Sequence, residues 1–146
     1  FGWVYEQIAQ PRVEYHPWVA HELFHIKLGT LAFDINIAPL ADNQFNRCKS
    51  AIKFYEAAAL KVPTLAQRAG PYSEIIDGET GMLFSTPQEF VEKLEHLVKD
   101  AEYRNKLGNA AHDWVREHRD ALKTVVPLAD FYRGLIRDVQ GRELAA

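Results

Sequence analysis

Seven residues in the first third of the chain, Asp34-Ile35-Asn36-Ile37-Ala38-Pro39-Leu40, leave few folds open. A strand with one wet face alternates apolar and polar residues. This run is nearly apolar throughout, as in a parallel strand covered on both faces. Two shorter runs, Thr64-Leu65-Ala66 and Met82-Leu83-Phe84, have the same character. Helical patterns separate them. Leu23, Phe24, Leu28 and Leu31 recur at helical spacing from Val19 onward, and residues 46–60 read as a second helix. That helix ends before Pro63, because the residue preceding a proline avoids helical angles. Strands alternating with helices imply an α/β fold built on a parallel sheet, with the loops after the strand C-termini gathered on one edge.

The flanks are read in the same way. Arg12-Val13-Glu14-Tyr15-His16 alternates and stops at Pro17, which predicts a strand; the ten residues before it are ambiguous, in the manner of a helix tail. Gly70-Pro71 marks a loop, residues 72–76 a helical turn, and Asp77-Gly78-Glu79-Thr80-Gly81 a tight turn. Thr86-Pro87-Gln88-Glu89 reads as a capping box opening a helix that buries Phe90, Val91, Leu94, Leu97 and Val98. Asp100 caps a helix expected to stop at Gly108, and Asn109 starts another through Trp114 and Val115. A last helix is expected near Pro127, showing Leu128, Phe131, Tyr132, Leu135 and Val139; of these, Phe131, Tyr132 and Leu135 are expected mostly in the core, with covering a partner surface as the alternative. Trp3, Trp18 and Trp114 are expected to pack, and His112 and His118 to be solvated.

Composition matters mainly for what it excludes. A net charge of -3 over 146 residues gives no argument for nucleic acid or an anionic membrane surface. The lone Cys48 precludes an internal disulfide and fits a reducing compartment. No apolar run approaches the length of a membrane span. The chain opens at Phe1 without an initiator methionine, as expected of a piece of a longer protein.

Chemistry concentrates after the first strand. In a single helix over 46–60, Lys49, Lys53 and Glu56 share one face at i, i+4 and i+7. Two lysines at a helix N-terminus oppose the macrodipole and repel one another. A phosphorylated ligand resolves both conflicts, since ammonium and backbone N–H groups then face an anion. The alternative is a solvated face with a Lys53–Glu56 surface pair. A different motif, His21-Glu22-Leu23-Phe24-His25, matches H-E-x-x-H and raises zinc hydrolysis as an alternative, although no third ligand stands at a typical downstream spacing.

Taken together, residues 34–40, Asn46 with Lys49-Ser50-Ala51-Ile52-Lys53-Phe54-Tyr55-Glu56, Gly70-Pro71-Tyr72 and residues 77–83 resemble the C-terminal domain of a family 4 glycosyltransferase of GT-B architecture. The resemblance spans residues 13–115. It is nearest to bacterial surface-polysaccharide enzymes reading Lys-Ser-x-x-Lys-x-x-Glu. It implies a Rossmann-like parallel sheet flanked by helices, the C-terminal half of a GT-B fold, with a helical tail at about 121–146. The whole of 1–146 is then one donor-binding domain of a retaining enzyme that makes surface polysaccharide or glycolipid.

The resemblance also implies a substrate site of Asn46, Lys49, Ser50, Lys53, Glu56, Gly70, Pro71 and Tyr72. Glu56 accepts from the ribose hydroxyls, and Lys49, Ser50 and Lys53 lie near the diphosphate or sugar. No catalytic residue is assigned, and no metal or cofactor is implied, the nucleotide-sugar being a substrate. The implied partners are that donor, a saccharide or glycolipid acceptor and an N-terminal Rossmann-like domain, without which the chain alone is inactive. The implied location is cytoplasmic, peripheral at the inner membrane face for the full-length protein. One departure stands out: Cys48 occupies the position of the family's first glutamate, which leaves a non-catalytic GT-B-like assembly module as another reading.

Overall fold

The computed structural model describes residues 12–143, with side chains as far as Arg137. The expected helix tail over the first ten residues and Trp3 lie outside that range. The chain divides into two compact units, one up to Ala32 and one from Phe33 onward.

The first unit contains α1, His21–Thr30, in which no residue is buried. The strand expected over residues 12–16 is absent, and these residues are irregular. An alternating pattern makes a strand only when a partner ladder takes its backbone groups. Trp18, expected to pack, is 85% exposed.

The second unit holds a three-stranded parallel sheet in the order β1 (Asn36–Ala38), β2 (Thr64–Gln67), β3 (Met82–Phe84). Asn36 is opposite Thr64 and Leu65 opposite Met82. Side-chain alternation sends Ala38, Ala66 and Leu83 to one face, where they pack with Phe54, Ala58, Ile75 and Ala111. Leu65, Met82 and Phe84 go to the other, against Leu97 and Leu107. β2 and β3 are therefore covered on both faces, as their apolar runs require, whereas Ile37 of β1, expected to be covered as well, is 42% exposed.

Between β1 and β2 the expected single helix is broken into α2 (Gln44–Arg47) and α3 (Ile52–Ala59). Asn43 caps α2 by accepting from the Asn46 N–H at 2.9 Å, and the Arg47 guanidinium closes on the Asp42 carboxylate at 2.6 and 2.8 Å. These local bonds compete with a continuous helix. α3 ends in a Schellman motif: Val62 N–H donates to Ala57 O and Lys61 N–H to Ala58 O, both at 2.9 Å, with Lys61 in the left-handed region at φ 60°.

A 3₁₀ turn, Gly70–Glu74, stands between β2 and β3. Helix α4 (Pro87–Lys99) begins as predicted, Thr86 accepting from the Glu89 N–H at 3.1 Å, but Glu89 reaches back to the Ser85 N–H rather than to that of Thr86. Of its predicted stripe, Leu97 is buried while Val91 and Val98 are exposed. Helix α5 (Ala101–His118) does not stop at Gly108. There it crosses the chain leaving α3, and a Cβ on residue 108 would collide with the Lys61 carbonyl oxygen. Gly108 is a point of close approach, not a terminus. Helix α6 (Ala121–Glu143) begins six residues before Pro127 and contains it. Its Phe131, Tyr132 and Leu135, expected mostly in the core, are exposed, as is Leu128.

Candidate functional site

Because all three strands are parallel, the loops after Ala38, Gln67 and Phe84 meet at one edge of the sheet. A cleft of ≈ 400 Å³ opens there, lined among others by Ile37, Pro39, Gln67, Phe84 and Thr86. A second, of ≈ 330 Å³, is bordered by Arg68, Gly70, Tyr72 and Ser73.

The break between α2 and α3 changes the geometry of the predicted cations. Lys53 and Glu56 remain one turn apart on α3, but Lys49 and Ser50 lie in the connector, so the three charged residues do not form one helical face. Lys49, Ser50 and Lys53 are exposed and Glu56 is half-buried. The Lys49 ammonium stands over the ring of Phe45, 4.8 Å from its centroid. The N-cap residue of α3 is Ala51, which has no side chain able to accept from the first turn. The Asn36 amide donates to the Lys53 carbonyl and the Thr64 hydroxyl, both at 3.1 Å, tying α3 to the first residues of β1 and β2.

Other predicted residues serve mainly to build the edge. Asn46 is buried and its amide donates to Ala41 O at 2.8 Å. Gly70 takes φ 49°, and a Cβ on it would come within 3.0 Å of Arg47 Cα and 3.1 Å of Asn46 O. The Asn46 and Gly70 blocks, far apart in sequence, are thus pressed together. Pro71 follows within the 3₁₀ turn, and Tyr72 is 3% exposed, its ring in the core, where burial pushes its hydroxyl pKa up.

Two polar clusters escaped the sequence reading. The Tyr55 hydroxyl donates to Glu74 Oε2 at 2.6 Å, and Arg119 Nη2 meets the same oxygen at 2.8 Å. This pins the 3₁₀ turn to α3 and to the end of α5. Burial raises the Tyr55 pKa, and the neighbouring Glu74 carboxylate raises it further against the opposing Arg119. In the second cluster, Asp77 Oδ1 accepts from the Leu83 N–H at 2.8 Å, while Lys93 and Arg68 bind the carboxylate. Partial burial works against the Asp77 charge, but the Leu83 N–H, Lys93 and Arg68 outweigh it and hold the carboxyl below its ordinary range. The signal for both clusters is long-range pairing of charges, which local periodicity does not carry.

The remaining candidates are placed as follows. Cys48 is exposed at the C-cap of α2, not at a helix N-terminus. His118, expected in solvent, is exposed yet stacks on half-buried Trp114 with ring centroids 4.6 Å apart, and His112 is half-buried beside Asp113 at 3.2 Å. His21, Glu22 and His25 are exposed on α1, the two imidazole centroids 6.4 Å apart. Among the described residues no three His, Cys, Asp or Glu gather to hold a metal, so H-E-x-x-H finds no third protein ligand there. Among them, too, no helix is long and apolar enough to cross a membrane.

Residues 2–124 match the family profile described as "Glycosyl transferase-like". An alignment over 79 residues, covering 49% of this chain and 23% of that protein, is 39% identical to "Glycosyltransferase 1 domain-containing protein 1" of Xenopus tropicalis. Among solved structures, the C-terminal domain of the glycosyl transferase group 1 protein LpcC of Francisella tularensis matches with a TM-score of 0.64 at 22% identity, over 82% of this chain and 60% of that one. Sucrose-phosphate synthase of Thermosynechococcus elongatus matches with 0.75 at 19% identity, over 94% of this chain and 33% of that one. HepE of Anabaena, solved in complex with UDP, matches with 0.57 at 17% identity, over 74% and 29%. These structures agree with the chain in fold: a Rossmann-like sheet of the GT-B kind, with helices on both faces.

Proposed function

This chain belongs to the glycosyl transferase-like family, and we propose that it is the nucleotide-sugar donor-binding domain of a retaining, family 4-type glycosyltransferase acting in surface polysaccharide or glycolipid synthesis in the cytoplasm. One observation carries the reading: the N-terminus of α3, without a side-chain cap, opens at the C-terminal edge of a parallel sheet with Lys49 and Lys53 exposed around it. A helix N-terminus and two ammonium groups suit a diphosphate, and they stabilise the charge that grows on it as it leaves the sugar. Ser50 adds a hydroxyl beside them. Glu56, one turn further along α3, accepts from the ribose hydroxyls. The Gly70-Pro71-Tyr72 loop supports this edge through its contact with the Asn46–Arg47 backbone. The acceptor saccharide and an N-terminal Rossmann-like domain complete the working enzyme. Its activity requires that second half.

Titration calorimetry with UDP, GDP and dTDP tests the reading. At least one binds, and Lys49→Ala and Glu56→Ala each weaken it about tenfold, the worth of one charge-assisted hydrogen bond. An exchange at exposed Glu79 leaves binding unchanged. Silence from all three nucleotides overturns the proposal.

The second reading, a non-catalytic assembly module, draws on Cys48. The nearby Asp42 does not stand in for a missing glutamate, since both its oxygens are engaged by Arg47. Nucleotide binding by the full-length protein without any transfer favours the module. Transfer excludes it.

A further inference from the structure

We propose that Phe45 is a stacking platform for the donor sugar, an inference that rests on the donor reading and adds to it a residue that discriminates sugar-bearing from bare nucleotides. Phe45 is 75% exposed, yet it is borne on a short helix held by several side-chain hydrogen bonds. Three polar clamps fix the four-residue α2: the Asn43 cap on the Asn46 N–H, the buried Asn46 amide on Ala41 O, and the two-pronged Asp42–Arg47 pair. Gly70 buttresses its far end. A loop needs no such bracing to leave an aromatic ring in water, and an exposed apolar ring of this size gains nothing for folding. What the bracing does achieve is a ring presented at a set angle, the condition for low-cost ligand contact.

The Lys49 ammonium, 4.8 Å above that ring, identifies what the ring meets. A cation over an aromatic face is a weak, exposed contact and readily exchanged. A diphosphate is a stronger partner for the amine than the ring is. When the amine turns to the diphosphate, the face of Phe45 is uncovered beside it. The group next to the diphosphate on the side away from Glu56 and the ribose is the sugar. The C–H face of a hexopyranose is apolar and weakly positive, matching the negative face of the ring. In chain order the residues then follow the ligand: Phe45 for sugar, Lys49 and Lys53 for diphosphate, Glu56 for ribose.

The test compares each bare nucleotide with its sugar conjugate by calorimetry: UDP with UDP-glucose, GDP with GDP-mannose and dTDP with dTDP-glucose, against wild type, Phe45→Ala and Phe45→Trp. For whichever pair binds, Phe45→Ala weakens the sugar conjugate about fivefold, the worth of one aromatic contact, and leaves the bare nucleotide unchanged. Phe45→Trp restores the difference. Because the side chain is exposed, the variants fold, which thermal melting verifies. Equal loss for both members of a pair, or no loss for either, overturns the platform while the donor site stands. If none of the three pairs binds to wild type, the donor reading fails and the platform falls with it.

Discussion

Asp77 and Lys93 meet across the outer edge of β3, Nζ 3.1 Å from Oδ2, and between them they occupy both outward backbone groups of Leu83. Asp77 accepts from the Leu83 N–H at 2.8 Å and Lys93 donates to the Leu83 carbonyl at 2.5 Å. Met82 and Phe84 face β2, so Leu83 carries the outward-facing N–H and C=O of this short strand. An ion pair thus closes an edge that would otherwise offer itself to another strand.

Removing either partner exposes the other's cost. Lys93→Met leaves the Leu83 carbonyl unsatisfied and Asp77 with one fewer cation. It lowers unfolding free energy by about 1–3 kcal/mol in urea melts. Asp77→Asn, which retains an acceptor for the Leu83 N–H, costs less than Asp77→Ala. An Asp77→Asn variant as damaged as Asp77→Ala would show that the charge, not the edge bond, matters.

The same pair gives the fold an acid limb. The folded-state pKa of Asp77 lies below its unfolded value. Its stabilisation is therefore complete above the unfolded pKa, about 3.9, and is lost as pH falls through the lower folded value. Urea midpoints measured from pH 6 downward fall more steeply for wild type than for Asp77→Asn, and the gap between the two narrows in acid. Parallel curves would contradict this.

Gly108→Ala forces a methyl group into the Lys61 carbonyl, where backbone rather than a movable side chain stands in the way. The expected loss is about 3 kcal/mol or more, since overpacking against backbone is poorly relieved. At the other side of the same contact, Lys61→Gly relieves a left-handed, non-glycine residue and stabilises by about 1 kcal/mol. Calorimetric melts of the two variants should shift in opposite directions.

On α6, Phe131 is 59% exposed and Leu128 49% exposed. Phe131→Ser and Leu128→Ser change the stability of this chain by less than about 0.5 kcal/mol, the range for surface substitutions. Losses of several kcal/mol in denaturant melts would mean that these side chains are covered.

Much of the architecture was legible from local pattern. The apolar runs around Leu65 and Leu83 announced strands buried on both faces, although the similar run around Ile37 leaves that residue exposed, and Thr86 and Asp100 marked helix starts that their side chains do cap. Periodicity could not see partners. It read Gly108 as a stop because it does not register the Lys61 carbonyl, and it buried the apolar stripe of α6 because it does not know what lies opposite. At the sheet edge it found Lys49, Lys53 and Glu56. It missed the Asn43 cap and the Asp42–Arg47 pair that part α2 from α3, and with them the separation of Lys49 from the helix.

The order of residues alone marked the three strands and their parallel sheet and most helix starts, since hydrophobic spacing and capping chemistry act over a few positions, but it also read a strand over residues 12–16 and one helix over 46–60 that the structure does not form. Only the tertiary structure decided which backbones touch and which ions pair: Arg47 against Gly70, Asp77 with Lys93, Glu74 with Arg119. Those contacts join residues distant in the chain, and their energies depend on a geometry that exists only after the sheet has closed.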